Sequence, residues 1–141
     1  MSISKASATW EGSIKEGKGM MTPANAEGVP FSIGTRFEGK KGSNPEEMIG
    51  AALAGCFSMA LSVGLGGANV TPKSIRTSAD VKLDKVEGGF AITSIALNTE
   101  VDAPGIDDAK FQEIAEATKK GCPVSKALAA TPITLSAKLV T

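Results

Sequence analysis

The sequence predicts an α+β fold, and three observations carry that prediction. Alternating apolar residues, the mark of strands, recur in blocks on both sides of a central stretch. That stretch has no charged residue from Met48 to Pro72 and reads as one long helix. Strands grouped in blocks around helices, rather than alternating with them one by one, argue against a doubly wound parallel sheet.

The first forty residues read as strands. Ala8, Trp10 and Ile14 are evenly spaced, Lys15-Glu16-Gly17-Lys18 reads as a turn, and Gly19 to Thr22 returns. Pro23 to Pro30 is loop by composition. Phe31 to Glu38 alternates, which predicts a strand with Phe31, Ile33 and Phe37 on one face and Arg36 on the other. Gly39 to Gly42 then turns into the central helix.

That helix has a well-marked start. Asn44 is a good N-cap, Pro45 fits the first helical position, and Glu46 and Glu47 favour the positive end of the helix dipole. Glu47 is also placed to complete a capping arrangement with Asn44. The helix is expected to run to about Leu65, with Gly64, Gly66 and Gly67 ending it. Its length and lack of charge require a membrane span to be weighed. Against a span, the stretch is rich in Ala, Gly and Ser, and its flanks lead into strands that need a partner for their apolar faces. The expected element is a helix buried on nearly all sides, with small residues allowing close packing.

Ile75 to Val86 alternates cleanly, Glu87-Gly88-Gly89 reads as a hairpin turn, and Phe90 to Val101 is the return strand. The apolar phase shifts between Ile92 and Ile95, which predicts a bulge or burial of both faces. Pro104-Gly105 breaks the chain. A second helix is expected from about Asp107, with Phe111, Ile114, Ala115 and Thr118 on one face and Gly121 as its stop. Cys122-Pro123 opens a short third helix to about Ala130, and Ile133, Leu135, Ala137 and Leu139 close the chain as a strand. No repeat or interdomain linker interrupts this order, so residues 1–141 are expected to form a single domain. A helix that is apolar all round needs cover on every side, and one sheet from a chain this size covers only one. A homodimer is the economical source of the rest.

Composition narrows the chemistry. The 141 residues carry 15 basic and 15 acidic side chains, which gives no electrostatic case for nucleic acid or an anionic membrane as partner. No basic n-region with a short apolar run marks a secretory signal, and two widely spaced cysteines make no disulfide framework, so a cytoplasmic location is expected. Histidine and tyrosine are both absent. That removes Ser-His-Asp and Cys-His nucleophiles, His-rich metal sites and the usual general base near neutral pH. What remains is Cys, carboxylate, Lys or Arg, and backbone.

Taken singly, the candidate residues have ordinary readings. Cys56 in an apolar helix reads as a small buried hydrophobe, and it lies about three turns from the N-terminus, too far for the dipole to activate it. A reactive Cys56 would need a nearby cation. Arg36 reads as an exposed strand arginine, Glu46 as a first-turn acid, and Cys122 as a junction residue. The Gly64-x-Gly66-Gly67 run follows a helix, not a strand, and is no nucleotide fingerprint.

Taken together they form a pattern. Asn44-Pro45-Glu46, then Cys56, then Gly121-Cys122-Pro123-Val124-Ser125 resembles the OsmC/Ohr family of thiol peroxidases, and Thr35-Arg36-Phe37-Glu38-Gly39 resembles its OsmC branch. The resemblance runs from Trp10-Glu11-Gly12 to the C-terminal strand. It implies an OsmC-like fold, an antiparallel sheet wrapped around a long buried central helix, in an intertwined homodimer with two interfacial active sites. It also implies a peroxidatic Cys56, a resolving Cys122, an activating Arg36 and Glu46 as its acidic partner. The implied substrates are organic hydroperoxides and hydrogen peroxide, the implied reductant is a lipoyl-type dithiol, and no cofactor or metal is called for.

Elementary chemistry agrees with that set. A thiol of pKa about 8.5 is only a few per cent thiolate at neutral pH, and a guanidinium at contact raises that fraction roughly tenfold or more. The same group can stabilise the departing alkoxide. Geometry raises one difficulty, because Glu46 and Cys56 would lie roughly 15 Å apart on a straight helix. Either the helix breaks near Gly50 or Gly55, or the Glu46 beside a given Cys56 belongs to the other subunit, which is the arrangement expected. Two further functions are weighed: a non-catalytic binder of apolar ligands, against which the pairing of Cys56 with Arg36 and Cys122 argues because a binder needs none of the three, and a redox sensor that forms the disulfide but signals through a partner.

Overall fold

A computed structural model describes residues 2–140, and the chain divides into two units, residues 1–48 and 49–141. The first unit carries an antiparallel sheet in the order β1 (Ala6–Glu11), β2 (Lys18–Pro23) and β3 (Val29–Phe31). Ile14, placed with the first strand by its spacing, instead sits in the β1–β2 turn and is largely exposed.

The predicted strand from Phe31 to Glu38 is corrected. β3 stops at Phe31, and a short helix, α1 (Ile33–Phe37), follows. The reason is a reciprocal cap: the Thr35 backbone N–H donates to Ser32 Oγ at 3.2 Å, and the Ser32 N–H donates to Thr35 Oγ1 at 2.8 Å. These local bonds give orphan helix-start groups partners that an edge strand would leave to water, and they override the apolar alternation. Arg36 therefore stands on a helix.

α2 (Pro45–Gly67) begins in the first unit and runs unbroken through Gly50 and Gly55, so a helix break near either glycine is excluded. Its N-cap forms as expected, with the Glu47 N–H donating to Asn44 Oδ1 at 2.8 Å. The Glu47 carboxylate does not close a box with Asn44; Ser43 Oγ donates to it at 2.9 Å. The C-terminus is a Schellman cap made by Asn69, not by the glycines. Asn69 takes φ +61°, its N–H donates to Gly66 O, and the Val70 N–H donates to Leu65 O at 2.9 Å. Val70 and Leu65 are both buried, which supplies the apolar contact that accompanies such caps.

In the second unit, β4 (Ser74–Val86) and β5 (Gly89–Asp102) form a long antiparallel hairpin. Its register shifts where Lys82 pairs with Ser94 and Leu83 with Ile92, which leaves Thr93 as the extra residue of the anticipated bulge. β6 (Ile133–Leu139) pairs with β5 in parallel, so this sheet is mixed rather than antiparallel. A parallel neighbour needs a crossover, and α3 (Asp108–Gly121) with α4 (Pro123–Ala127) supplies it.

Leu53, Phe57, Leu61 and Leu65 recur every four residues along α2, are fully buried, and join Ile95, Leu97, Val101, Phe111 and Ala115 in one core. Gly64 lets α2 approach α3 closely, since a Cβ there would lie 2.8 Å from Ile114 Cγ2. Burial on nearly all sides does not hold within one chain. Only 28% of the most apolar window of α2 is buried, and Ala52, Gly55, Met59 and Val63 form an exposed stripe opposite the core face.

Candidate active site

The four candidate residues fall into two pairs. The first lies in the first unit. α1 presents Arg36 to the first turn of α2, where Nε donates to Glu46 Oε1 at 2.8 Å and Nη2 lies 2.7 Å from the same oxygen. Glu46 is buried, and its Oε2 has no hydrogen-bond partner among the described residues. The guanidinium carbon also sits 5.6 Å from the centre of the Phe37 ring. Beside Arg36 opens a cavity of about 300 Å³ lined by Trp10, Ile14, Phe31, Ser32, Ile33 and Pro45. It is an apolar hollow with a guanidinium at its wall, suited to a ligand with an apolar body and an electron-rich head.

The second pair lies in the second unit. Cys56 is half-buried in the middle of α2, and Cys122 is fully buried at the α3–α4 junction. Both are free thiols, and Cys122 Sγ donates to Cys56 Sγ across 2.9 Å. Two residues beyond Cys56, Ser58 Oγ donates to Thr77 Oγ1 at 2.7 Å, and Thr77 is bonded to Thr99 at 3.0 Å. That hydroxyl chain pins this turn of α2 to β4 and β5. Cys122 is pinned by its backbone N–H, which donates to Thr118 O at 2.9 Å.

The two sulfurs titrate unequally. Burial pushes the Cys56 thiol up, and so does its hydrogen bond to Cys122, with a Val124 N–H opposing. Burial acts upward on Cys122 as well, but the Cys56 hydrogen bond, the Ser125 N–H and hydroxyl and the Val124 N–H outweigh it and bring the thiol down. The expectation that a reactive Cys56 needs a cation becomes sharper, since burial and the Cys122 hydrogen bond outweigh the Val124 N–H that favours its thiolate.

The sequence pattern marked all four residues but missed several neighbours. The cavity lining was hidden because Ile14 and Ile33 were assigned to strand faces. Ser125 was part of the pattern, yet no role was read for it; its spacing from Cys122, the distance between an N-cap and its third helical residue, was the available signal.

The chain has relatives among known proteins. Residues 38–138 match the family model described as OsmC-like protein, a span that holds Glu46, Cys56 and Cys122 and stops just short of Arg36. The chain is 58% identical over 139 residues to Peroxiredoxin OsmC of Escherichia coli, which covers 96% of this chain and 95% of that protein. It is 35% identical over 92 residues to the organic hydroperoxide resistance protein OhrB of Bacillus subtilis, covering 64% of this chain and 65% of that protein. Among solved structures, the crystal structure of that OhrB superposes with a TM-score of 0.68 at 27% identity, covering 96% of this chain and 97% of that one. An OsmC-like protein of unknown function from Vibrio cholerae superposes with a TM-score of 0.79 at 16% identity over 97% of this chain and 99% of that one, a likeness of fold alone. By the family match and by near-full-length identity, the chain belongs to the OsmC family.

Proposed function

We propose that this chain is a two-cysteine thiol peroxidase that reduces organic hydroperoxides, and hydrogen peroxide, in defence against oxidative and osmotic stress. The observation that carries the reading is the pair of free thiols 2.9 Å apart, one half-buried and one fully buried, in a chain without histidine. Cys56, the more accessible sulfur, attacks the terminal peroxide oxygen as thiolate. The O–O bond breaks, the alkoxide leaves and is protonated to the alcohol, and Cys56 becomes a sulfenic acid. Cys122 then displaces the sulfenic hydroxyl to form the disulfide, which stops over-oxidation. A dithiol of the lipoyl type returns both cysteines to thiols.

Arg36 is assigned as the cation that Cys56 lacks, held in orientation by Glu46. The pair acts on a thiol of another chain. α2 is unbroken, Glu46 and Cys56 lie about 15 Å apart along it, and Arg36 is already engaged with the Glu46 of its own chain. The account therefore requires a homodimer, with residues 1–141 working as one OsmC-like domain per subunit. The Ala52–Val63 stripe of α2 is the apolar surface such a partner would cover. The cavity beside Arg36 favours an alkyl or aryl hydroperoxide over hydrogen peroxide. A cytoplasmic location fits free thiols served by a dithiol.

The test is consumption of cumene hydroperoxide with dihydrolipoamide. Wild type is expected to turn over, Cys56→Ser to be inactive, and Cys122→Ser to stop after about one equivalent when no dithiol is present. A wild type idle with every hydroperoxide and dithiol would overturn the enzyme and favour a binding protein of the same fold.

A further inference from the structure

Ser125 stands at a position with a defined habit. Cys122 is the N-cap of α4 and Ser125 is its third helical residue, the two positions whose side chains each reach back to the other's backbone N–H in a capping box. There the third residue ordinarily accepts the N-cap backbone N–H. That N–H is already committed to Thr118 O at 2.9 Å, and the neutral Cys122 thiol makes no capping bond of its own. Ser125 is left 7% exposed, with Oγ buried and without a hydrogen-bond partner among the described residues. Buried hydroxyls rarely stay unpaired unless a partner arrives during function.

We propose that Ser125 is a further catalytic residue, whose hydroxyl donates to Cys122 Sγ whenever that sulfur carries negative charge. The inference rests on the peroxidase reading and assigns Ser125 to its later steps. When the disulfide closes, the Cys122 thiolate pair forms the S–S bond, the S–O bond of the Cys56 sulfenic acid breaks, and hydroxide leaves and takes up a proton as water. When the disulfide reopens, a thiolate of the dithiol attacks Cys56 Sγ, because Cys122 is fully buried. The S–S electron pair then goes to Cys122, and a better-stabilised thiolate leaves faster. The second thiol of the reductant attacks the mixed disulfide, leaves as the oxidised dithiol and frees Cys56. In both directions the charge on Cys122 is met by the Ser125 O–H. The groups that set the charge on this sulfur are Cys56, the titratable neighbour, the N–H groups of Val124 and Ser125, and the Ser125 hydroxyl, which favours the thiolate.

The experiment compares wild type, Ser125→Ala and Ser125→Thr after reduction and mixing with one equivalent of cumene hydroperoxide. Samples are quenched with a sulfenic-acid trap, and sulfenic acid and disulfide are counted by mass spectrometry. In Ser125→Ala the closing step is expected to slow about threefold relative to the oxidation step, a roughly tenfold smaller thiolate fraction being partly offset by a more nucleophilic thiolate, so that sulfenic acid accumulates. Its pH midpoint should rise by about one unit, and Ser125→Thr should recover both. A Ser125→Ala protein that closes at the wild-type ratio with the wild-type pH profile would overturn the proposal. So would a Ser125→Ala protein that unfolds more easily than wild type at a pH low enough to keep Cys122 a neutral thiol, because the hydroxyl would then have a structural partner. If the wild type itself closes no Cys56–Cys122 disulfide, the peroxidase reading falls and this inference with it, a failure seen in the wild-type arm alone.

Discussion

Replacing Arg36 with alanine strands a carboxylate, and the cost follows from its surroundings. Glu46 Oε1 receives both Nε and Nη2, Oε2 has no partner among the described residues, and the Glu46 side chain is only 9% exposed. An exposed ion pair contributes at most about 1 kcal/mol, whereas stranding one member of a fully buried pair costs about 3–5 kcal/mol. The Arg36 side chain is 36% exposed, which places this pair between the limits. Arg36→Ala is therefore expected to lower stability by about 2 kcal/mol. Glu46→Gln keeps an acceptor oxygen and removes the charge, for a loss of about 1 kcal/mol. The double variant leaves no buried charge behind and should lose about 2 kcal/mol, a coupling of about 1 kcal/mol. The assay is urea unfolding at one protein concentration, because the stability of a dimer depends on concentration. Losses that add within about 0.5 kcal/mol would show that Glu46 does not depend on Arg36, and would refute the reasoning.

Two other perturbations probe the scaffold. Phe57→Ala empties a fully buried site one residue from Cys56 and is expected to cost about 3–5 kcal/mol, read by the same unfolding experiment. Met59→Glu and Val63→Glu place charge on the exposed stripe of α2, where each residue is 75% exposed in the single chain. Each should yield monomer by light scattering and lose peroxidase activity, whereas an active, dimeric Val63→Glu protein would move the interface elsewhere.

What the sequence made legible was local. The start of α2 was written in Asn44, Pro45 and two glutamates, and the β5 bulge in the phase slip between Ile92 and Ile95. The helix α3 was equally clear from Asp107, whose Oδ1 accepts the Lys110 N–H at 2.8 Å. Misreadings arose where two local signals competed or where pairing was remote. Phe31 to Phe37 alternates like a strand, yet Ser32 and Thr35 carry a cap whose hydrogen bonds decide the matter. Likewise the glycines after Leu65 read as a stop, but the left-handed residue is Asn69. The parallel pairing of β6 with β5 depends on the path of α3 and α4, which no local pattern encodes. At the site, Arg36, Glu46, Cys56 and Cys122 were legible only as a constellation. Their grouping into an ion pair and a thiol pair, and the burial of the Ser125 hydroxyl beside Cys122, are properties of side-chain placement in three dimensions.

The central claim is that the Arg36–Glu46 pair of one subunit activates Cys56 of the other. It is tested by joining two inactive proteins. Arg36→Ala and Cys56→Ser chains are co-expressed with different tags, and the heterodimer is purified through both. Its wild-type Arg36 and wild-type Cys56 lie on opposite chains, so one of its two sites is intact in the proposed arrangement. The heterodimer should recover about half of wild-type cumene hydroperoxide turnover, while each parent homodimer shows none. A heterodimer as inactive as its parents would place Arg36 and Cys56 of one site on the same chain and contradict the account.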